Sequence, residues 1–169
     1  INLQGADLRG EALIGVNFQG ANLMGANLSR TFLLKADLSG AALNWANLAH
    51  AKLNDAQLVG ADLTKATLDG AFMVNAQLIE ARLCGASLDH TNLRGGNLRR
   101  ANLCGANLAR VNLCQANLNQ ANLAWVNAQE ARLGHADLQH ANLHHGNFSR
   151  AFLRDVNLLG MDLAGLNFS

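Results

Sequence analysis

The chain has 169 residues, of which 50% are hydrophobic, 15% charged and only 5% aromatic, with 16 glycines and neither proline nor tyrosine. High hydrophobicity at low charge excludes a disordered chain. A formal net charge of +1 argues against a strongly basic nucleic-acid binder and equally against a strongly acidic protein. The length fits one domain of ordinary size. The longest apolar runs, such as Phe32–Leu34 and Ala71–Val74, fall far short of the roughly 20 residues a membrane-spanning helix needs. No basic stretch leads into an apolar core as in a signal peptide. The sequence opens at Ile1, so the expectation is a trimmed form or one part of a larger protein. Three cysteines are too few for a disulfide scaffold, which makes a reducing, cytoplasmic setting the default; a soluble domain of a membrane-attached protein is the other setting considered.

From the first residues the chain repeats. Stepping by five from Leu3 to Phe168 meets 34 positions, of which 29 are Leu; the exceptions are Phe18, Met73, Ala128, Phe148 and Phe168. Two residues before each lies Ala in 22 of 34 cases, and between them Asn or Asp in 22 of 34. The unit is Ala-(Asn/Asp)-Leu-X-X, plain in Ala101–Gly105 and Ala106–Arg110. On an α-helix a step of five would scatter the leucines around the axis, and on a flat strand it would alternate faces. The chain must therefore bend once per unit. Asn and Asp suit that bend, because their side chains hydrogen-bond nearby backbone and tolerate turn conformations.

In these motifs the chain resembles the pentapeptide-repeat family over essentially its whole length. The resemblance implies an all-β fold, a right-handed quadrilateral parallel β-helix of about eight coils with 20 residues each. Residues 1–169 would form a single uninterrupted domain, with the central Leu and the preceding Ala inside. Such arrays are abundant in cyanobacteria, the source the resemblance suggests. Stacked strands lie about 4.8 Å apart, and each coil of a solenoid is stabilised chiefly by its neighbours.

On that geometry residues 20 apart stack. In the N-terminal half Ile14, Phe32, Leu34, Phe72 and Val74 gather on one face and Val59 and Ile79 on the next, a candidate partner-contact surface; the alternative is that Phe32 and Phe72 lie flat over neighbouring backbone. The same face becomes more polar further on, with Arg94, Arg132, Phe152 and Arg154. Glu11 takes an inward position near the start. Cys84 and Cys104 stack on one face and Cys114 lies on another; free thiols are expected, because parallel neighbours point the same way and not toward each other. Arg94, Arg99, Arg100 and Arg110 form a modest basic cluster. Ala128 interrupts the leucines, with Phe148 above it and Val126 beside it, an exchange of volume expected to leave no sizeable cavity. His135, His140, His144 and His145 are dense, but rigid corners keep them from converging, so no metal site is expected. Near the end Met161, Leu166 and Phe168 bring bulk to inward positions, where a second copy is able to dock end to end.

No nucleophile elbow, phosphate loop or other catalytic constellation appears, and no cofactor is implied. The sequence reads as a non-enzymatic structural or protein-interaction module, a rigid rod that presents a binding face to a partner it does not name. The alternative is a DNA-mimicking topoisomerase (gyrase) inhibitor, as in the fluoroquinolone-resistance members of the resembled family. Those members imply a strongly acidic rod, from which a net charge of +1 departs.

Overall fold

In an interior pentad with Asn or Asp before the central residue every backbone N–H has a destination, and this decides the fold. In Ala21–Gly25 the Ala21 N–H closes a turn on Phe18 O at 2.9 Å. Asn22 N–H donates down to Ile1 O at 2.9 Å, and Leu23 and Gly25 donate up to Ala42 O and Asn44 O at 2.8 and 2.9 Å. The remaining N–H, that of Met24, donates to the Asn22 side chain at 3.1 Å. Buried backbone donors need partners, and here each of the five residues spends its own. Proline has none to give, which accounts for its absence from the sequence. The Asn/Asp preference follows from the same tally, since only a short side-chain acceptor serves the fourth N–H.

The computed structural model describes residues 1–158, 161–163 and 165–169. Its bridges are all parallel and all join residues 20 apart, from Asn2↔Asn22 to Asn147↔Asn167. Four pentads, each ending in a turn, make one coil, and the coils stack in strict register. The four sides are numbered here by the central residues Leu3, Leu8, Leu13 and Phe18 of the first coil, so that the third face runs through Leu33, Leu53, Met73 and Leu93 to Leu153. Among the described residues no helix is long and apolar enough to cross a membrane.

Among the described residues the last of each pentad has positive φ, near +60° in glycines such as Gly20 and equally in Trp45 (57°) and Lys65 (61°). A turn with φ > 0 at its third position favours Gly. Twenty other residues occupy that conformation here, held there by the inter-coil bonds on either side.

The interior is a stack of leucines with small residues beside them; Leu23, Leu43, Leu63, Leu83 and Leu103 are 0% exposed. Thr31 and Thr91 replace Ala inside, and their hydroxyls donate to Leu28 O at 2.6 Å and Leu68 O at 2.8 Å. Ala128, Val126 and Phe148 are all buried. The Phe148 ring turns toward Gly146, where an added Cβ would lie 2.5 Å from Phe148 Cε2. The large central residue is thus matched both to the small Ala128 one coil below and to a missing methyl in its own pentad.

Glu11 shows how the first coil differs from the rest. Its repeat position is an inward one, yet its side chain is exposed. The first coil packs against a coil on one side only, and Leu3, Leu8, Leu13 and Val16 are merely part-buried, so a carboxylate at this level reaches water instead of paying the desolvation cost of the interior.

Candidate interaction face

The outward residue before each central position forms a column up the third face, in which bridges link Ala12, Phe32, Lys52, Phe72 and Asn92, and then Asn112, Arg132 and Phe152. Phe32, Phe72 and Phe152 are 37%, 46% and 64% exposed. The remaining three phenylalanines, Phe18, Phe148 and Phe168, hold central positions. All the aromatic rings displayed at this outward position therefore lie on one side of the rod. Ile14 is exposed beside them, and Leu34 and Val74 are half-buried. Val59 is exposed and Ile79 half-buried on the adjoining fourth face.

This surface is not a continuous apolar patch. Lys52 stands between Phe32 and Phe72 in the column, and its Nζ lies 4.6 Å from the Phe32 ring centroid. An ammonium over an aromatic face is attracted by the ring quadrupole, so the column alternates ring, cation, ring.

Charge is distributed unevenly around the rod. The third face and its two bounding corners carry eight of the 13 Lys and Arg residues but four of the 12 Asp and Glu, a balance of +4; the rest of the rod carries five and eight, a balance of −3. Divided along its length instead, the chain changes from −2 up to residue 81 to +3 beyond it. The net charge of +1 conceals the lateral division. The cations on this side are also freer. Arg110 pairs with Asp89 at 2.9 Å and Arg154 with Asp155 at 3.2 Å. Arg30, Lys35, Lys52, Arg94, Arg132 and Arg150 make no ion pair among the described residues, although Arg94 Nε donates to Gln115 at 3.0 Å. Elsewhere Arg9, Arg82 and Arg100 are each engaged by a carboxylate.

Toward the C-terminal part of this face a shallow cavity of about 560 Å³ is lined by Cys114, Arg132, Gly134, His135, Phe152 and Arg154. Gly134 makes the depression, since its Cα lacks a side chain beside Cys114 Sγ.

Most of the other residues singled out by sequence are separated from this face or tied up locally, Cys114 in the cavity being the exception. Cys84, Cys104 and Cys114 are free. Burial, followed by the neighbouring Cys104, pushes the Cys84 thiol above its ordinary value. Arg99 lies on the fourth face, and Arg100 bridges Gln120 at 2.9 Å and Glu80 at 3.4 Å. His145 stacks on Trp125 with centroids 4.1 Å apart; His135 and His144 face Asp155 and Asp162 at 3.5 and 3.7 Å. No three His, Cys, Asp or Glu side chains converge among the described residues. Met161 and Leu166 are part-buried against the core, while Phe168 is 45% exposed with its ring 6.1 Å from that of Phe148.

Sequence reasoning left Phe152 and Arg132 out of the contact surface and did not see the lateral charge division. The 20-residue register places Phe152 and Arg132 on this face, and charges summed by the same register divide the rod laterally.

A family model described as pentapeptide repeats matches the chain in 8 copies, over residues 1–43, 41–78, 73–108, 97–134 and 106–144. Among solved structures the chain is similar to HetL, a pentapeptide repeat protein involved in heterocyst differentiation regulation in the cyanobacterium Nostoc, at 28% identity and a TM-score of 0.59, covering 99% of this chain and 89% of that one. It also matches full-length QnrB1, a plasmid-mediated fluoroquinolone resistance protein, at 18% identity and a TM-score of 0.46, with 96% and 91% covered. A pentapeptide repeat protein of the cyanobacterium Cyanothece, Rfr23, matches at 21% identity and a TM-score of 0.44, covering 96% of this chain and 91% of that one. No curated protein sequence matches significantly.

Proposed function

We propose, since the chain belongs to the pentapeptide-repeat family, that it is a rigid protein-interaction module, a right-handed quadrilateral rod of about eight coils whose third face docks a partner. The observation that carries this reading is the confinement of exposed Phe32, Phe72 and Phe152 to one column of one face. Aromatic residues and arginine are enriched at interface cores and supply most hot spots, and this face holds both. Its extent is adequate. One side of a four-sided rod with 7694 Å² of accessible surface offers roughly 1,900 Å², about twice what one partner buries in a stable interface. Ser29 and His50 line one depression on the rod and Cys114 and His135 another, but both are shallow and in neither does a hydrogen bond join nucleophile to base among the described residues, which supports a binding role over a catalytic one. Eight of the 12 acidic residues are spread over the other three sides and interleaved with Arg9, Arg82 and Arg100, which favours this reading over a DNA mimic.

The test is affinity capture from lysate of the source organism with the wild type, with Phe32→Asp/Phe72→Asp, and with Gln129→Asp/Gln139→Asp on the second and fourth faces. The expected result is a partner retained by the wild type and by the second variant and lost with the first. Equal recovery by all three removes the third face from the interaction.

A further inference from the structure

We propose that the partner surface seated on the third face is an acidic protein segment carrying apolar side chains. This rests on the interaction reading above and narrows it to one class of occupant.

The argument is one of complementarity. A face with a balance of +4, on a rod whose other sides sum to −3, presents a net positive charge to whatever approaches it. Complementary potentials steer encounter and set specificity. The residues concerned are available: Lys52 and Arg132 are exposed and make no ion pair among the described residues. Cations satisfied within the rod would gain little from a partner's carboxylates, whereas unpaired guanidinium groups are ready for bidentate contact.

The rings restrict the choice further. Phe32 and Phe72 lie two coils apart and Phe72 and Phe152 four coils apart, about 10 and 19 Å at the strand spacing. Cations occupy or flank the levels between them. A partner must therefore offer apolar groups at intervals, with carboxylates between, over about 29 Å. An extended segment of about nine residues covers that length and presents side chains of both kinds. A lipid surface offers a uniform plane of headgroups and gains most from a continuous apolar stripe. Lys52 interrupts that stripe between Phe32 and Phe72, which favours the peptide.

The experiment is selection from a displayed library of random twelve-residue peptides against the wild type, Lys52→Glu/Arg132→Glu, Phe32→Asp/Phe72→Asp and Arg82→Glu, the last on the first face. Circular dichroism and thermal melts confirm that each variant is folded. The wild type and Arg82→Glu are expected to enrich peptides rich in Asp and Glu together with apolar residues. The selected peptides should bind Lys52→Glu/Arg132→Glu at least tenfold more weakly, and wild-type binding should weaken as salt is raised. A pool enriched in apolar residues without acids, lost only with the Phe variant, overturns the acidic partner but leaves the docking face intact. A pool unchanged by either third-face variant overturns both. Phosphatidylserine vesicles and a 20-nucleotide single-stranded DNA serve as competing probes. Tighter binding of either than of the best acidic peptide, abolished by Lys52→Glu/Arg132→Glu, also overturns the inference.

Discussion

Gly146 supplies the sharpest stability prediction, because the sign of its effect depends on neighbours. In most pentads the inward small residue is Ala, and Gly146→Ala merely restores the repeat. Yet in this structure the added Cβ would lie 2.5 Å from Phe148 Cε2 and 3.1 Å from Leu143 O. The ring is buried, 2% exposed, so it cannot swing into solvent. Overpacking of this kind costs about 1–3 kcal/mol. For a chain of this length that lowers Tm by roughly 2–12 °C. In an Ala128→Leu/Phe148→Leu background the column is leucine from position 8 to position 148, with Phe168 above it, and the obstruction by the Phe148 ring disappears. Val126 beside a leucine has a precedent in Val111 beside Leu113, both buried. Gly146 does not have positive φ, so in that background Gly146→Ala should stabilise by about 0.4–1 kcal/mol through the unfolded chain. Urea and thermal unfolding of the four proteins measures the coupling, expected to exceed 1.4 kcal/mol. The same sign and size of effect in both backgrounds would refute the stacking of Phe148 over Ala128 and against Gly146.

Three further outcomes follow from the same architecture. Leu83→Ala in the fully buried stack should cost about 2–5 kcal/mol, and Leu3→Ala in the part-buried first coil distinctly less; matching losses in denaturation midpoints would contradict the burial gradient. Asp37 accepts from Ser39 N at 2.9 Å, and the Ser39 hydroxyl and N–H hold its carboxyl below the ordinary carboxylate value. Its contribution to stability is present above the unfolded-state value and lost as pH falls through the lower folded one. A carbon-13 titration should show the midpoint rising in Ser39→Ala. The Cys84 thiol is pushed up chiefly by burial, so the folded state holds its proton more tightly than the unfolded state, and stability falls as pH rises past the unfolded value. Alkylation of Cys84 should accelerate when urea unfolds the chain, and equal rates would contradict its burial.

The architecture was legible in the sequence because one pentad is spelled out 34 times. The period of five excluded helix and flat strand, and Asn or Asp before the central residue announced the turn. What that chemistry does became visible only with the fourth N–H of each pentad, as in Met24 bonded to Asn22. Glu11 is exposed at an inward position of the repeat because the repeat assigns direction by position, whereas burial depends on coils lying on both sides. Lys52 over Phe32 was not legible, since a long flexible side chain chooses its own lie. The register places Phe152 and Arg132 on the same face from sequence, whereas the lateral charge division shows only when charges are summed face by face. The candidate face therefore comes partly from sequence, in Phe32, Phe72 and their aliphatic neighbours, and partly from structure, in the cations that separate them.

The most direct measurement is a hydroxyl-radical footprint of the rod, free and in complex with the partner captured by the wild type. It compares two sets of exposed aromatic rings on one molecule. Phe32, Phe72 and Phe152 lie on the third face, while Trp45 and Trp125, each 62% exposed, stand at the corner between the first and second faces. Oxidation of the three phenylalanines should fall on complex formation while that of the two tryptophans is unchanged. Protection of Trp45 and Trp125 with undiminished labelling of the phenylalanines would place the partner on the opposite side of the rod and contradict the account.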